Sequence, residues 1–216
     1  MKYLYQFSID GLDKLVENEL NLSRWYIRDD KIRSRTDAIH FSERYNKIKK
    51  QADNNGISYN DEEIVTWFDT LVMLYCAFGK VKDSSIRKDL RILQEYCIPY
   101  SNKRADYLFL YENRILILEF SFNRLNYELN YETKLQQAID YKELLSNILP
   151  KEIDIGTYTF IVKPEEDEHG KPLSKEIDGE EYYPNDWKIN DLANYIEKFF
   201  TKNSGFAYNA ISQIED

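Results

Sequence analysis

The sequence predicts an α/β domain with a central mixed sheet flanked by helices, and three observations carry that expectation. Two adjacent runs, Ala105 to Tyr111 and Arg114 to Phe120, are rich in aromatic and branched residues and are joined by Glu112-Asn113, which suits a tight hairpin. A helix from about Glu132 to Ile148, closed by Pro150, then returns to a further strand, Gly156 to Lys163, as a parallel crossover does. Asp61 to Phe78 places Ile64, Trp67, Phe68, Leu71, Leu74 and Phe78 on one helical stripe.

Composition agrees. A chain of 216 residues can enclose one sizeable core, and 43% hydrophobic residues with 18 Tyr and 11 Phe suit a folded globule rather than a low-complexity chain. The opening MKYLYQFSIDGL has no basic lead or unbroken apolar core, and no long apolar run follows, so a soluble, cytoplasmic protein with no membrane partner is expected. Cys76 and Cys97 sit among apolar or aromatic neighbours and read as reduced packing residues. His40 and His169 are too far apart in sequence to suggest a histidine metal site or a triad.

Taken in order, residues 4 to 20 suggest a short strand and a helix opened by Asp10, with Leu12, Leu15, Val16 and Leu20 at helical spacing. From Arg24 to Lys50 nine basic residues outnumber four acids, with Trp25, Tyr26, Phe41 and Tyr45 interleaved. Such a pattern can track a phosphate backbone and stack on bases, or it can be the solvated face of an amphipathic helix. Gln51 to Asn60 reads as a polar linker, Gly79 suits the end of the long helix, and Ser84 to Gln94 reads as a second helix. Tyr96 to Pro99 is a candidate first strand of the sheet. An exposed loop is expected after Glu119, an acidic loop or β-turn excursion from Lys163 to Asp186, and a closing helix from Asn190 to Thr201. The organisation expected is a helical, basic region over 1–60, a core over 61–165, and an acidic loop with a final helix over 166–216 that belongs to the same domain.

The chemistry concentrates in the two central strands. Asp106 is the only charge in the first, and Glu119 closes the apolar run Ile115 to Leu118 of the second, a run typical of a strand covered on both faces. Two carboxylates in an apolar sheet repel each other and are costly to bury unless a cation lies between them. Their oxygens suit a partly hydrated Mg²⁺ or Mn²⁺. Solvated strand-end acids are the plainer alternative.

The surrounding motifs add a resemblance. Glu63-Ile64-Val65-Thr66-Trp67 is followed by Glu95-Tyr96-Cys97-Ile98-Pro99, by Lys103-Arg104-Ala105-Asp106, by Glu119-Phe120-Ser121 and by Gln137-Ala138-Ile139-Asp140-Tyr141. This order resembles the PD-(D/E)XK, restriction-endonuclease-like nuclease superfamily, and more narrowly the nuclease-like domain found ahead of helicase-type ATPases in bacteria. It covers roughly residues 61 to 145. The resemblance implies a restriction-endonuclease-like core and metal-dependent hydrolysis of a DNA phosphodiester. It assigns Mg²⁺ or Mn²⁺ to Asp106, Glu119 and the Phe120 carbonyl, with Glu63 assisting and Gln137 and Tyr141 orienting backbone or substrate. Glu63 is otherwise a first-turn acid complementing the helix dipole. Lys103 and Arg104 either contact a phosphate or pair with acidic side chains. Glu95 joins the acidic cluster or stands at a strand edge.

One position departs from the pattern: Ser121 stands where the superfamily places a Lys that orients water and offsets charge on the phosphate. Lys134, which shares a helical face with Gln137, Tyr141 and Leu144, can supply that charge from the next helix. The alternative is a catalytically inactive module of the same fold that binds nucleic acid or a protein partner. A subunit served by a separately encoded ATPase is a further option, since Gly79-Lys80 lacks the upstream glycine of a phosphate loop. A net charge of −9 opposes nonspecific adhesion to a polyanion unless basic groups are segregated. The region from Lys151 onward carries about eight of those units.

Overall fold

The computed structural model describes residues 2–16, 43–121, 127–161, 175–177, 180–182 and 186–200. Its elements in chain order are β1 Tyr5–Phe7, α1 Ile9–Val16, α2 Glu43–Asn54, α3 Asp61–Phe78, α4 Ser84–Asp89, β2 Arg91–Cys97, β3 Arg104–Tyr111, β4 Arg114–Ser121, α5 Tyr127–Ile148, β5 Asp154–Ile161, β6 Lys175–Ile177, β7 Glu180–Tyr182 and α6 Asp186–Phe200. The fold is α/β, built on a five-stranded mixed sheet of order β1-β2-β3-β4-β5, with helices on both faces.

Strands β1 to β4 pair antiparallel, and β4 pairs parallel with β5 across the α5 crossover. The β3–β4 hairpin closes on the Tyr111–Arg114 pair, with Glu112 in the left-handed region at φ 56°. β4 is the most deeply enclosed strand: Ile115 through Phe120 are all buried, as its near-continuous apolar run requires.

Each helix buries the face its sequence marks. On one side of the sheet α1, α3 and α6 bring Leu12, Leu74, Phe78, Leu192 and Ile196 against Tyr107, Phe109, Leu116 and Leu118. On the other, Ala138, Tyr141, Leu145 and Leu149 of α5 and its C-terminal end cover Leu108, Leu110, Ile115 and Ile117. A smaller cluster joins Tyr45, Ile48 and Ala52 of α2 to Ile64, Trp67 and Phe68 of α3. Burying each such aliphatic side chain contributes about 1.5–3 kcal/mol. Gly156 of β5 is fixed by close packing, since a Cβ there would stand 2.7 Å from the Phe199 ring of α6.

Several boundaries differ from the sequence expectation, each for a physical reason. The helix expected over Ser84 to Gln94 ends at Asp89, because Ile92 and Leu93 pair with Phe109 and Leu108 of β3 and the ladder overrides helical propensity. The candidate strand at Tyr96 to Pro99 is the end of that longer β2. The expected linker Gln51 to Asn60 begins as the last turn of α2, whose Ala52 is buried. The α5 helix starts at Tyr127 rather than Glu132, and β5, Asp154–Ile161, starts two residues before the expected Gly156, while the expected end at Lys163 lies outside the described residues. Gly79 caps α3 with an ordinary right-handed φ of −59°. Within the acidic stretch the described residues form the β6–β7 ribbon. The rest of that stretch, the basic run over 24–42, and both histidines lie outside the described residues. Cys76 and Cys97 are free thiols. Among the described residues no helix is long and apolar enough to cross a membrane.

Candidate active site at the strand ends

The β3–β4 ladder stops at the Tyr107–Leu118 pair. One step beyond, Asp106 and Glu119 face each other, and their side chains continue the bonding that the main chains leave off. The Asp106 N–H donates to Glu119 Oε1 at 3.1 Å, and the Phe120 N–H donates to Asp106 Oδ2 at 2.7 Å. Strand alternation turns Glu119 to the same face as Ile115 and Ile117, the face covered by α5.

The crossover decides what meets them there. A helix that links parallel strands runs antiparallel to both, so the first turns of α5 return over the C-terminal end of β4. Lys134, on the same helical face as Ala138 and Tyr141, projects its ammonium between the carboxylates, 3.1 Å from Asp106 Oδ2 and 2.9 Å from Glu119 Oε2. Glu119 is fully buried, while Asp106 and Lys134 keep 23% of their side-chain surface exposed. Burial first, and then the Asp106 charge, push the Glu119 carboxyl up from 4.5 to about 8 against the pull of Lys134. Burial acts against the Lys134 charge, yet Asp106 and Glu119 outweigh it and hold the ammonium protonated more firmly than usual.

A second cationic hub lies beside the first. The ladder register on either side leaves Glu95 opposite Asp106, with Glu95 itself at φ 54° and 3% exposed. Arg104 bonds Glu95 through Nε at 2.6 Å, Glu63 at 2.6 Å and the Ser58 carbonyl at 2.5 Å, and its guanidinium lies 5.9 Å from the Trp67 ring centre. Burial, then the Asp106 charge, raise the Glu95 carboxyl well above its ordinary value while Arg104 opposes them. For Arg104, burial works against the charge, and Glu95 and Glu63 outweigh it.

Glu63 has two tasks. It closes the α3 capping box with Asn60, accepting the Asn60 N–H at 2.8 Å, and it pairs with Arg104. The helix-start role is therefore joined by an ion pair with Arg104. Arg104 takes the acid-pairing option, whereas Lys103 is exposed and no ion pair engages it among the described residues. Gln137 lines the cleft and donates to the Tyr141 hydroxyl, but Tyr141 is only 3% exposed, so it positions Gln137 from the core rather than reaching a ligand. Phe120 is buried and contributes main-chain contact to Asp106.

Two cavities reach this cluster. One of about 960 Å³ runs from Lys2, Gly56 and Tyr100 to Asp106, Lys134 and Gln137, and a smaller one of about 290 Å³ lies between α3 and the strand ends, lined by Thr70, Glu95, Arg104 and Phe120 among others. No family model, curated protein or solved structure matches the chain. Among the described residues no group of three or more His, Cys, Asp or Glu could hold a metal ion. The two acids that the sequence assigns to a cation, Asp106 and Glu119, are bridged by Lys134 Nζ.

Sequence reasoning did not reach the Ser58 carbonyl, the buried Thr70–Tyr107 hydroxyl pair at 2.7 Å, or Lys2 and Tyr100 on the cleft wall. None has a local signature, because each joins the site only through tertiary packing.

The raised Glu119 value fixes a pH dependence. A carboxyl held above its unfolded value favours the fold below about 4.5, and that contribution is lost as pH rises through about 8. Glu95 acts in the same direction. The melting temperature of wild type will fall from about pH 5 to pH 8, and Glu119→Gln will flatten part of that slope in thermal unfolding monitored by circular dichroism.

Proposed function

We propose that this chain is a metal-dependent phosphodiesterase acting on DNA, with Lys134 in the role that Ser121 cannot fill. The observation that carries the reading is the ammonium of Lys134 within 3.1 Å of both Asp106 and Glu119. Ser121 shares the face of β4 with Glu119 by strand alternation, so a Lys at position 121 and one at 134 would converge on the same place from different elements.

In this reading Asp106 and Glu119 supply the anionic oxygens for Mg²⁺ or Mn²⁺, helped by the Phe120 carbonyl. Bound there, the cation would polarise a phosphoryl oxygen and lower the pKa of a water. Lys134 yields one carboxylate contact and turns its charge toward the phosphate, stabilising the negative charge that develops on it. Arg104 keeps Glu95 and Glu63 paired, so that further acids do not repel the substrate. Gln137, held by Tyr141, is the polar group that orients backbone or substrate at the cleft floor.

Plasmid and single-stranded DNA incubated with Mn²⁺ test the reading. Wild type will cut, and Asp106→Asn and Glu119→Gln will lose about a hundredfold or more in rate. Asp106→Asn protein that cuts as well as wild type overturns it.

A second reading has its own support: Lys134 bridges the two carboxylates, as it would in a nuclease-fold module that has given up catalysis. Such a module would bind a protein partner, for instance a separately encoded ATPase, or nucleic acid. Cytoplasmic placement fits either reading.

A further inference from the structure

The cleft of about 960 Å³ is larger than two carboxylates and one ion require, and its outer part is unused by the chemistry above. One wall is the connection between α2 and α3, Gly56 to Asn60, and the other is the turn between β2 and β3, Ile98 to Lys103. Asp106, Lys134 and Gln137 lie at the inner end.

Three features of the outer part point the same way. Tyr100, on the β2–β3 turn, exposes 88% of its surface and sits at φ 58°, in a region that bulky residues rarely adopt. The chain thus presents a largely exposed aromatic face on unfavourable backbone, and strained positions of this kind cluster at functional sites. Lys103, three residues on, and Lys2, whose amine lies over Gly56, are exposed at the same cleft and engaged by no ion pair among the described residues. Arg104 and Lys134 are occupied by acids, so among the described residues lining the cleft Lys2 and Lys103 are the cations left to meet an incoming anion.

We infer that the outer cleft is a single-strand channel: Tyr100 stacks on an unpaired base, while Lys2 and Lys103 hold the flanking phosphates and lead the strand toward Asp106 and Lys134. A duplex hides the faces of its bases, so a ring at the lip distinguishes a single strand where phosphate contacts alone cannot. The site takes single-stranded nucleic acid as a class, since stacking and phosphate contact are common to DNA and RNA. This inference rests on the proposed phosphodiesterase reading for its direction, and not for its binding chemistry.

Fluorescence anisotropy of labelled oligonucleotides with the full chain, in EDTA, tests it apart from cleavage. Single-stranded DNA, the same sequence as duplex, and the same sequence as RNA are the probes. Single strands are expected to bind about tenfold or more tightly than duplex. Tyr100→Ala is expected to weaken single-strand binding by about 5- to 100-fold, with Tyr100→Phe near wild type. Tyr100→Gly removes the ring while suiting the left-handed backbone, and should match Tyr100→Ala. Lys2→Ala and Lys103→Ala should each lower the salt dependence of binding. The tighter of the DNA and RNA arms identifies the sugar. Duplex binding as tight as single-strand binding, or affinity unchanged in both Tyr100→Ala and Tyr100→Gly, overturns the inference. Cleavage without single-strand binding sinks this inference alone, and binding without cleavage sinks the phosphodiesterase reading alone.

Discussion

Lys134→Met will destabilise the fold by about 3–5 kcal/mol near pH 8 and, under the proposed function, lower cleavage by about a hundredfold or more. The ammonium is the one cation within bonding distance of both Asp106 and Glu119 among the described residues, and Glu119 has no exposed surface. Removing it leaves two facing carboxylates without a counter-charge. The fold can relieve this by protonating Glu119, whose carboxyl already titrates at about 8. The loss will therefore be larger above that pH than below it. Urea unfolding at pH 6 and pH 9 measures the difference, and a loss under about 1 kcal/mol at both would refute the bridging role. In the double variant Lys134→Met, Glu119→Gln stability should largely return, which traces the loss to the uncompensated carboxylate.

Arg104→Met will cost a similar amount, about 3–5 kcal/mol, for a different reason. Glu95 is 3% exposed and depends on the 2.6 Å contact from Arg104 Nε, and the same guanidinium ties the start of β3 to the first turn of α3 through Glu63 and to the preceding connection through Ser58. Adding Glu95→Gln should recover most of the loss, because a neutral amide does not demand a counter-charge. If instead Arg104→Met unfolds as wild type does and only weakens DNA binding, Arg104 is a phosphate contact, as the sequence also allowed. Urea unfolding beside anisotropy gives both numbers.

The parts of this site that lie within a short stretch were legible in the sequence. The hairpin of Asp106 and Glu119 follows from two hydrophobic runs and a two-residue turn, and its register brings the two acids face to face. Lys134 was legible only as a helical-face partner of Gln137 and Tyr141. That the face turns toward the strand ends depends on the α5 crossover, which the parallel β4–β5 pairing realises. Arg104 shows the limit. Its partners Glu63 and Ser58 lie 41 and 46 residues away, and nothing in local periodicity links them. The α4–β2 boundary was misplaced for a related reason: Arg91 to Gln94 carries no helix breaker, and the decision to extend is made by the neighbouring strand β3. Glu95 and Tyr100 take left-handed backbone that neither side chain advertises, one to enter the acidic cluster and the other at the cleft lip.

Asp106 and Glu119 form the proposed divalent-cation site, which Lys134 guards. Its most direct measurement is a titration of Mn²⁺ into the protein near pH 8, following the electron paramagnetic resonance signal of free Mn²⁺. Saturable uptake by wild type that both Asp106→Asn and Glu119→Gln abolish, with circular dichroism unchanged, is the predicted result. Uptake that survives both substitutions, or no uptake by wild type, contradicts it.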